Sequence, residues 1–329
     1  MALGFDTLLP EQILSAIEQA GFRCTGELLA LNSYENRVYR AALDSGERVV
    51  AKFYRPGRWS NAAIEEEHDY ATRLRAADLD IVAPLVFDGA SLLHIDGFRL
   101  AIYPCVGGRW PALEDEELLR QVGRLVARMH LSTGDMKFHH RPAIDVTRFG
   151  WEARDAVLNS EFIPEALEAA YESVTDDLLD QVESELSQVS AQHLAIHNDL
   201  HPGNLLQDGP VLHVVDTDDA ANGPAVQDLW MLLSGPREQQ AQQLDTVLDG
   251  YQQFRDFDFS ELALIEPLRT LRIVHYAAWL ARRWHDPAFQ QAFPWFDGAR
   301  YWNEHILALR EQQDAMRTPF QLSASGYPA

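Results

Sequence analysis

One stretch limits what this chain can become more than any other. It reads His197-Asn198-Asp199-Leu200-His201-Pro202-Gly203-Asn204, then a turn at Asp208-Gly209-Pro210, an apolar run Val211-Leu212-His213-Val214-Val215, and Asp216-Thr217-Asp218-Asp219. The form is H-x-D-x-x-x-x-N, followed by an aspartate at the end of an apolar strand. A polar loop that leads into a short hairpin is predicted, embedded between helices. At this spacing Asp199 and Asn204 sit at opposite ends of one loop, and the hairpin returns Asp216 toward them. Phosphoryl transfer from ATP needs such a set, because it demands little covalent chemistry of a protein. It requires a carboxylate to orient the attacking hydroxyl and oxygen ligands to hold Mg2+ on the phosphates. Asp199 is the candidate base, Asp216 the candidate main metal ligand, and Asn204 faces the metal from the far end of the loop. Two plainer readings compete. The loop is a simple turn, or His197, Asp199 and His201 form a transition-metal cluster, for which no other His-rich segment offers further ligands.

The rest of the chain divides in two. Pro10 to Gly21 has the spacing of an amphipathic helix, with Ile13, Leu14 and Ile17 on one face. Val38 to Leu43 and Arg48 to Tyr54 alternate around Asp44-Ser45-Gly46 as a hairpin does. A helix is predicted from Ser60 to about Ala76, with Glu65, Glu66 and Glu67 near a start where the helix dipole favours acids. Strands follow around Leu92-Leu93-His94 and from Phe98 to Tyr103, and Pro104 to Gly108 breaks the pattern. Beyond it the periodicity is mostly helical: Asp115 to His130, Pro164 to about Gln188, and much of Arg237 to Arg310. The expectation is an α+β, bilobal protein, with a β-rich N-lobe over 1–105 and a helical C-lobe over 106–329. The tail from Thr318 to Ala329 is expected to be loosely ordered.

Composition removes several classes. The 329 residues are 47% hydrophobic and 23% charged, an ordinary globular balance long enough for two units of about 150 residues. Two cysteines, Cys24 and Cys105, exclude a disulfide framework and a Cys-rich zinc site. The start Met1 to Asp6 lacks a secretory pattern, and no apolar run approaches the roughly 20 residues of a membrane span, so a cytoplasmic protein is expected. With 27 basic and 50 acidic residues the formal net charge is -23, which argues against nucleic-acid and membrane partners. A monomer is the default expectation.

The His197 to Asp216 segment resembles the catalytic and metal-binding loops of the aminoglycoside phosphotransferase and choline kinase superfamily, which shares the protein-kinase fold. More narrowly, Leu31-Asn32-Ser33-Tyr34-Glu35-Asn36-Arg37-Val38-Tyr39, Lys52-Phe53-Tyr54-Arg55-Pro56, Val106-Gly107-Gly108-Arg109, Asn222 to Leu233 and Asp286-Pro287-Ala288-Phe289 are similar to the bacterial stress response kinase A family. The resemblance spans most of the chain. It implies a serine/threonine protein kinase that acts in the response to envelope and oxidative stress, with ATP and Mg2+ as cofactors. His197 is then expected to be buried in support of the loop.

On that resemblance Lys52, closing Val49-Val50-Ala51-Lys52, binds the α- and β-phosphates. Its implied partner is Glu67, two turns before Leu74, with Glu66 as the fallback. Ser33, Tyr34, Glu35 and Asn36 occupy the place of the nucleotide-covering loop but contain no glycine, so backbone amides would have to meet the phosphates. Adenine would lie along the backbone near Tyr103 and Cys105. Asp218 is a candidate second metal ligand, and Asp228 is expected to brace the catalytic loop. Asn198 stands where relatives commonly carry glycine, and no arginine precedes Asp199, so control through an activation-loop phosphate is not expected. The aromatic stretches Tyr276 to Trp284 and Phe293 to Trp302 are read as core packing, with an acceptor pocket as the alternative. A small-molecule kinase acting on an amino alcohol, homoserine-like or sugar hydroxyl, and a nucleotide-binding pseudokinase, are the rival functions.

Overall fold

Alternating apolar residues and turn glycines build the first half. In the computed structural model, which describes residues 5–318 and 320–322, helix α1 (Pro10–Gln19) is followed by strands β1 (Cys24–Ala30), β2 (Arg37–Leu43) and β3 (Arg48–Phe53). Helix α2 (Asn61–Ala76) and strands β4 (Leu93–Ile95) and β5 (Phe98–Pro104) complete the lobe. The sheet is antiparallel in the order β1-β2-β3-β5-β4. Strand period decides where Lys52 points. Val49, Ala51 and Phe53 pack with Ile13, Ala16 and Ile17 of α1, while Val50 and Tyr54 belong to a cluster with Ile64 of α2 and Tyr103. Lys52 shares the second face, toward α2 and the cleft.

The second lobe is helical: α3 (Glu116–Ser132), α4 (Glu152–Leu158), α5 (Glu165–Gln188), α6 (Gln227–Trp230), α7 (Arg237–Tyr251), α8 (Ile265–Arg283), α9 (Pro287–Ala292) and α10 (Ala299–Met316). Short strands β6 (Leu194–Ile196), β7 (Leu205–Asp208), β8 (Val211–Val214) and β9 (Ala221–Gly223) lie at its upper edge, paired β6 with β9 and β7 with β8. The fold is thus α+β and bilobal. Among the described residues no helix is long and apolar enough to cross a membrane. Most of the tail from Thr318 lies outside the described residues.

The structure adds two elements to the sequence expectations and corrects one. Cys24–Ala30 is a strand although its Thr-Gly-Glu start breaks alternation, because pairing with β2 supplies what the pattern lacks. The β6–β9 pair was not foreseen, as three-residue strands carry almost no periodic signal. The first turn of α2 holds no acid; Ser60 caps it through Oγ, which accepts from the Ala63 amide at 3.1 Å. Glu66 and Glu67 lie further in, each with its own partner.

Helices α3 and α7 touch backbone to backbone. A Cβ on Gly123 would run into the Val247 carbonyl, and one on Gly250 into that of Arg120. Helix propensity alone would make Gly123→Ala stabilising by about 1 kcal/mol. Overpacking is expected to reverse the sign, with a net loss of roughly 1–3 kcal/mol in urea unfolding. A variant as stable as the parent would mean that the two helices separate freely.

Candidate active site

Lys52 is the centre of a buried charge cluster. Its Nζ lies 3.0 Å from Asp218 Oδ1, 3.4 Å from Asp216 Oδ1 and 3.7 Å from Glu67 Oε1. Burial by itself would lower the ammonium's pKa, but Asp218, Glu67 and Asp216 outweigh it and hold it well above the usual lysine value. Burial likewise works against ionised Asp218, yet Arg58, Lys52 and Arg141 keep it well below the carboxylate range. Glu67 is aimed by Thr217, whose hydroxyl donates to Oε1 at 2.9 Å. The fallback partner Glu66 is excluded by its own bonds. It accepts from the backbone amides of His139, His140 and Arg141 at 2.8 to 3.2 Å, tying α2 to the helical lobe.

The catalytic-loop segment is held from beneath by Asp228, which is fully buried. Its Oδ2 accepts from the His197 amide at 2.9 Å and from His130 Nε2 at 3.1 Å, and its Oδ1 accepts from the Asn198 amide at 2.7 Å. Asn198 adopts φ 69, a left-handed conformation that asparagine tolerates better than most residues. His197 Nδ1 accepts from the Asp199 amide, so its proton sits on Nε2, which donates to the Val215 carbonyl at 3.0 Å. That bond joins the loop to the strand before Asp216. Asn204 Nδ2 donates to the Asp199 carbonyl at 2.9 Å, closing the loop on itself.

The Asp199 carboxylate projects from this frame, with Oδ1 at 2.8 Å from Arg272 and Oδ2 at 3.7 Å from His201 Nε2. Burial raises its pKa, and Arg272 opposes the rise.

The same residues suit a magnesium ion. Asp218 Oδ1 is buried and meets only the Lys52 ammonium, Asp216 is 58% exposed at φ 59, and Asn204 Oδ1 makes no hydrogen bond among the described residues. Among the described residues no three His, Cys, Asp or Glu side chains converge as a metal cage, which leaves the transition-metal reading of His197, Asp199 and His201 without support. Magnesium needs no such cage, since it takes one or two carboxylates and completes its shell with phosphates and water.

The glycine-free loop is fastened rather than free. Arg55 reaches the carbonyls of Tyr34 and Glu35 at 3.0 and 2.7 Å, and the Asn36 amide side chain donates to Asp218 at 3.0 Å. Ser33 Oγ donates to the Asn36 carbonyl, and the four backbone amides from Ser33 to Asn36 make no hydrogen bond among the described residues. The loop also docks on the helical lobe. Arg37 and Arg55 both pair with Asp286, and Tyr34 packs on Phe293. The Glu35 carboxylate is the clearest departure from a nucleotide-binding role. It is taken by Arg55, Arg283 and Trp279 Nε1. Tyr103 also turns away from a nucleotide, its hydroxyl bonded to Tyr54 at 2.9 Å beside His68, so only its main chain is left for adenine. Cys105 is half-buried just past the end of β5.

Residues 27–265 match the family model described as the phosphotransferase enzyme family. The chain is 42% identical to stress response kinase A of Escherichia coli (strain K12), over 97% of this chain and 96% of that one. The chain belongs to the stress response kinase A family of phosphotransferases. It shares the same identity and coverage with the serine/threonine protein kinase RdoA of Salmonella typhimurium (strain LT2). The fold is that of amicoumacin kinase hAmiN, solved with AMP-PNP, Ca2+ and Ami, at a TM-score of 0.73 and 19% identity over 94% of this chain and 95% of that one.

In this member of the stress response kinase A family, a cavity of about 230 Å³ opens beside Asp199. One face of α8 forms its wall, since Arg272, His275, Tyr276 and Trp279 recur at helical spacing. The aromatic stretches therefore split. Tyr276 and Trp279 line the cavity, against the core reading, whereas Phe296 and Trp302 are buried in the core. Arg58, Asp219 and Arg272 were missed from sequence. The spacing along α8 was the signal that would have found Arg272.

Proposed function

We propose that the chain is an ATP- and magnesium-dependent serine/threonine protein kinase acting in a bacterial stress response. One observation carries it: Asp199 stands at the edge of an acceptor cavity on the loop that also bears Asn204, with Asp216, Asp218 and Lys52 gathered beside it. Lys52, aimed by Glu67, would hold the α- and β-phosphates, and the open amides of Ser33 to Asn36 would cover them. Magnesium, held by Asp216, Asn204 and Asp218, would neutralise charge on the β- and γ-phosphates. The acceptor oxygen attacks the γ-phosphorus as its bond to the bridging oxygen of ADP breaks, and the hydroxyl proton passes to Asp199. The stress role rests on the relatives' names, and the need for ATP suits a cytoplasmic site of action.

A second acceptor class has its own support. The cavity is walled by Tyr276, Trp279, Leu268 and Phe149, a shape that suits a small alcohol as well as a serine side chain. A pseudokinase is disfavoured by the complete Lys52, Asp199, Asn204 and Asp216 set.

The test is incubation with γ-labelled ATP and magnesium, with and without protein acceptors, beside Asp216→Ala. Label on protein that the variant reduces by at least about a hundredfold is expected. Turnover only after a metabolite is added would shift the function to a small-molecule kinase.

A further inference from the structure

The formal net charge of -23 makes the lining of one groove unexpected. The cavity beside Asp199 continues into a second hollow of about 190 Å³, and the two share Arg58, Phe149, Asn198, Asp219, His275 and Trp279. Arg272 stands in the first part and Arg148, Arg282 and Arg283 in the second, so that with Arg58 five guanidiniums line one continuous groove.

Three of them are neutralised. Arg58 pairs with Asp218 and Asp219, Arg272 with Asp199, and Arg283 with Glu35. Arg148 and Arg282 take part in no ion pair among the described residues. Arg148 lies over the Trp59 ring, 5.9 Å from its centroid, and Arg282 donates to the Glu152 carbonyl at 2.9 Å. Both are exposed. Burial holds Arg282 below its ordinary value; the nearby Glu152 works against that shift, and Arg283 and Arg148 add to it. His275 beside them is pushed down to about 4 by burial and by Arg282, Arg148 and Arg272, so at neutral pH it adds no charge of its own. Among the described residues the fold thus leaves two guanidiniums in no direct ion pair, with Glu152 acting on Arg282 only from further off, in the groove that leads to the candidate base. Planar guanidiniums over an aromatic floor suit a carboxylate or phosphate.

We propose that the acceptor is anionic: Arg148 and Arg282 bind an acidic side chain that flanks the acceptor serine or threonine of a protein substrate. This rests on the protein-kinase function proposed for the same site. Because the molecule as a whole repels acidic chains, the attraction operates only at short range, within the roughly 8 Å over which charges act at physiological salt. It therefore selects among bound sequences rather than drawing acidic proteins in.

The test uses the full chain with ATP, magnesium and three peptides of one sequence, in which the residues flanking a single serine are Glu, Ala or Lys. Expected is a kcat/KM about tenfold higher for the Glu peptide than for the Ala peptide, with the Lys peptide lowest. The Arg148→Ala/Arg282→Ala double variant should bring Glu and Ala peptides within about twofold of each other and leave the KM for ATP unchanged. The Arg148→Lys/Arg282→Lys double variant should recover part of the difference. Peptides phosphorylated without regard to flanking charge, or best with Lys, overturn the inference and leave the kinase function standing. If no peptide accepts phosphate, the kinase function fails. The inference is then decided by calorimetric binding of the same peptides carrying Ala for Ser, in the presence of AMP-PNP. Tighter binding of the Glu peptide that the double variant abolishes upholds it, and equal binding overturns it.

Discussion

Asp199→Asn is expected to lower phosphoryl transfer by about 10²- to 10⁴-fold while ATP still binds and the protein stays folded. Asparagine keeps the size and the oxygen of the side chain but cannot take the proton of the attacking hydroxyl. The fold should tolerate it, because no hydrogen bond of the loop uses the Asp199 side chain. The loop is closed through the Asp199 carbonyl and amide, which bond Asn204 and His197. The substitution gives up the ion pair of Oδ1 with Arg272, whose side chain is 45% exposed and can turn to water. A pH profile gives a second readout. Burial raises Asp199, so the acid limb of kcat/KM is expected above the ordinary aspartate value of about 4. Arg272 opposes that rise, and Arg272→Ala should therefore move the limb to still higher pH, because the carboxylate then loses its proton less readily. Retained transfer in Asp199→Asn, or a limb that Arg272→Ala leaves in place, would mean that another group takes the proton.

What was legible in the sequence follows from range. Asp199, Asn204 and Asp216 lie within one short stretch whose turn and hairpin are locally encoded, and Lys52 ends a strand whose alternation sets its face. Their convergence is thus anticipated by short-range rules. Arg58 and Asp286 have no such signature, whereas the spacing of Arg272 with His275, Tyr276 and Trp279 along α8 is one. Arg58 meets Asp218 and Asp219 only because the segment after β3 folds down on the loop after β8, and Asp286 meets Arg37 and Arg55 only when the lobes close on each other. Neither pairing carries a periodic mark in the sequence. The same holds for Glu35. Its position in a family-like string suggests the nucleotide, whereas Arg55, just past the end of β3, and Trp279 and Arg283 of α8 hold its carboxylate at the cavity beside Asp199. Side-chain direction in an irregular loop is decided by tertiary charge rather than by neighbours in sequence.

Asp228→Ala should cost about 3–5 kcal/mol in stability, more than any other single change considered for this chain. The Asp228 carboxylate, fully buried, answers three donors at once: the amides of His197 and Asn198 and the Nε2–H of His130. Alanine leaves all three buried with nothing to accept them, and each orphaned donor costs about 1–3 kcal/mol. Asp228→Asn separates geometry from charge. Its single oxygen serves the side of His197 and His130, which turns its NH2 toward the Asn198 amide, donor against donor. About half the alanine loss is expected, read as the shift of the urea midpoint at constant slope. Transfer measured well below the melting temperature should fall in both variants. The two amides that Asp228 fixes immediately precede Asp199, and a base displaced by about 1 Å can cost roughly a hundredfold in rate. A variant that loses stability but keeps its rate would show that the loop is set by His197 and Asn204 alone, with Asp228 serving only the core beneath it.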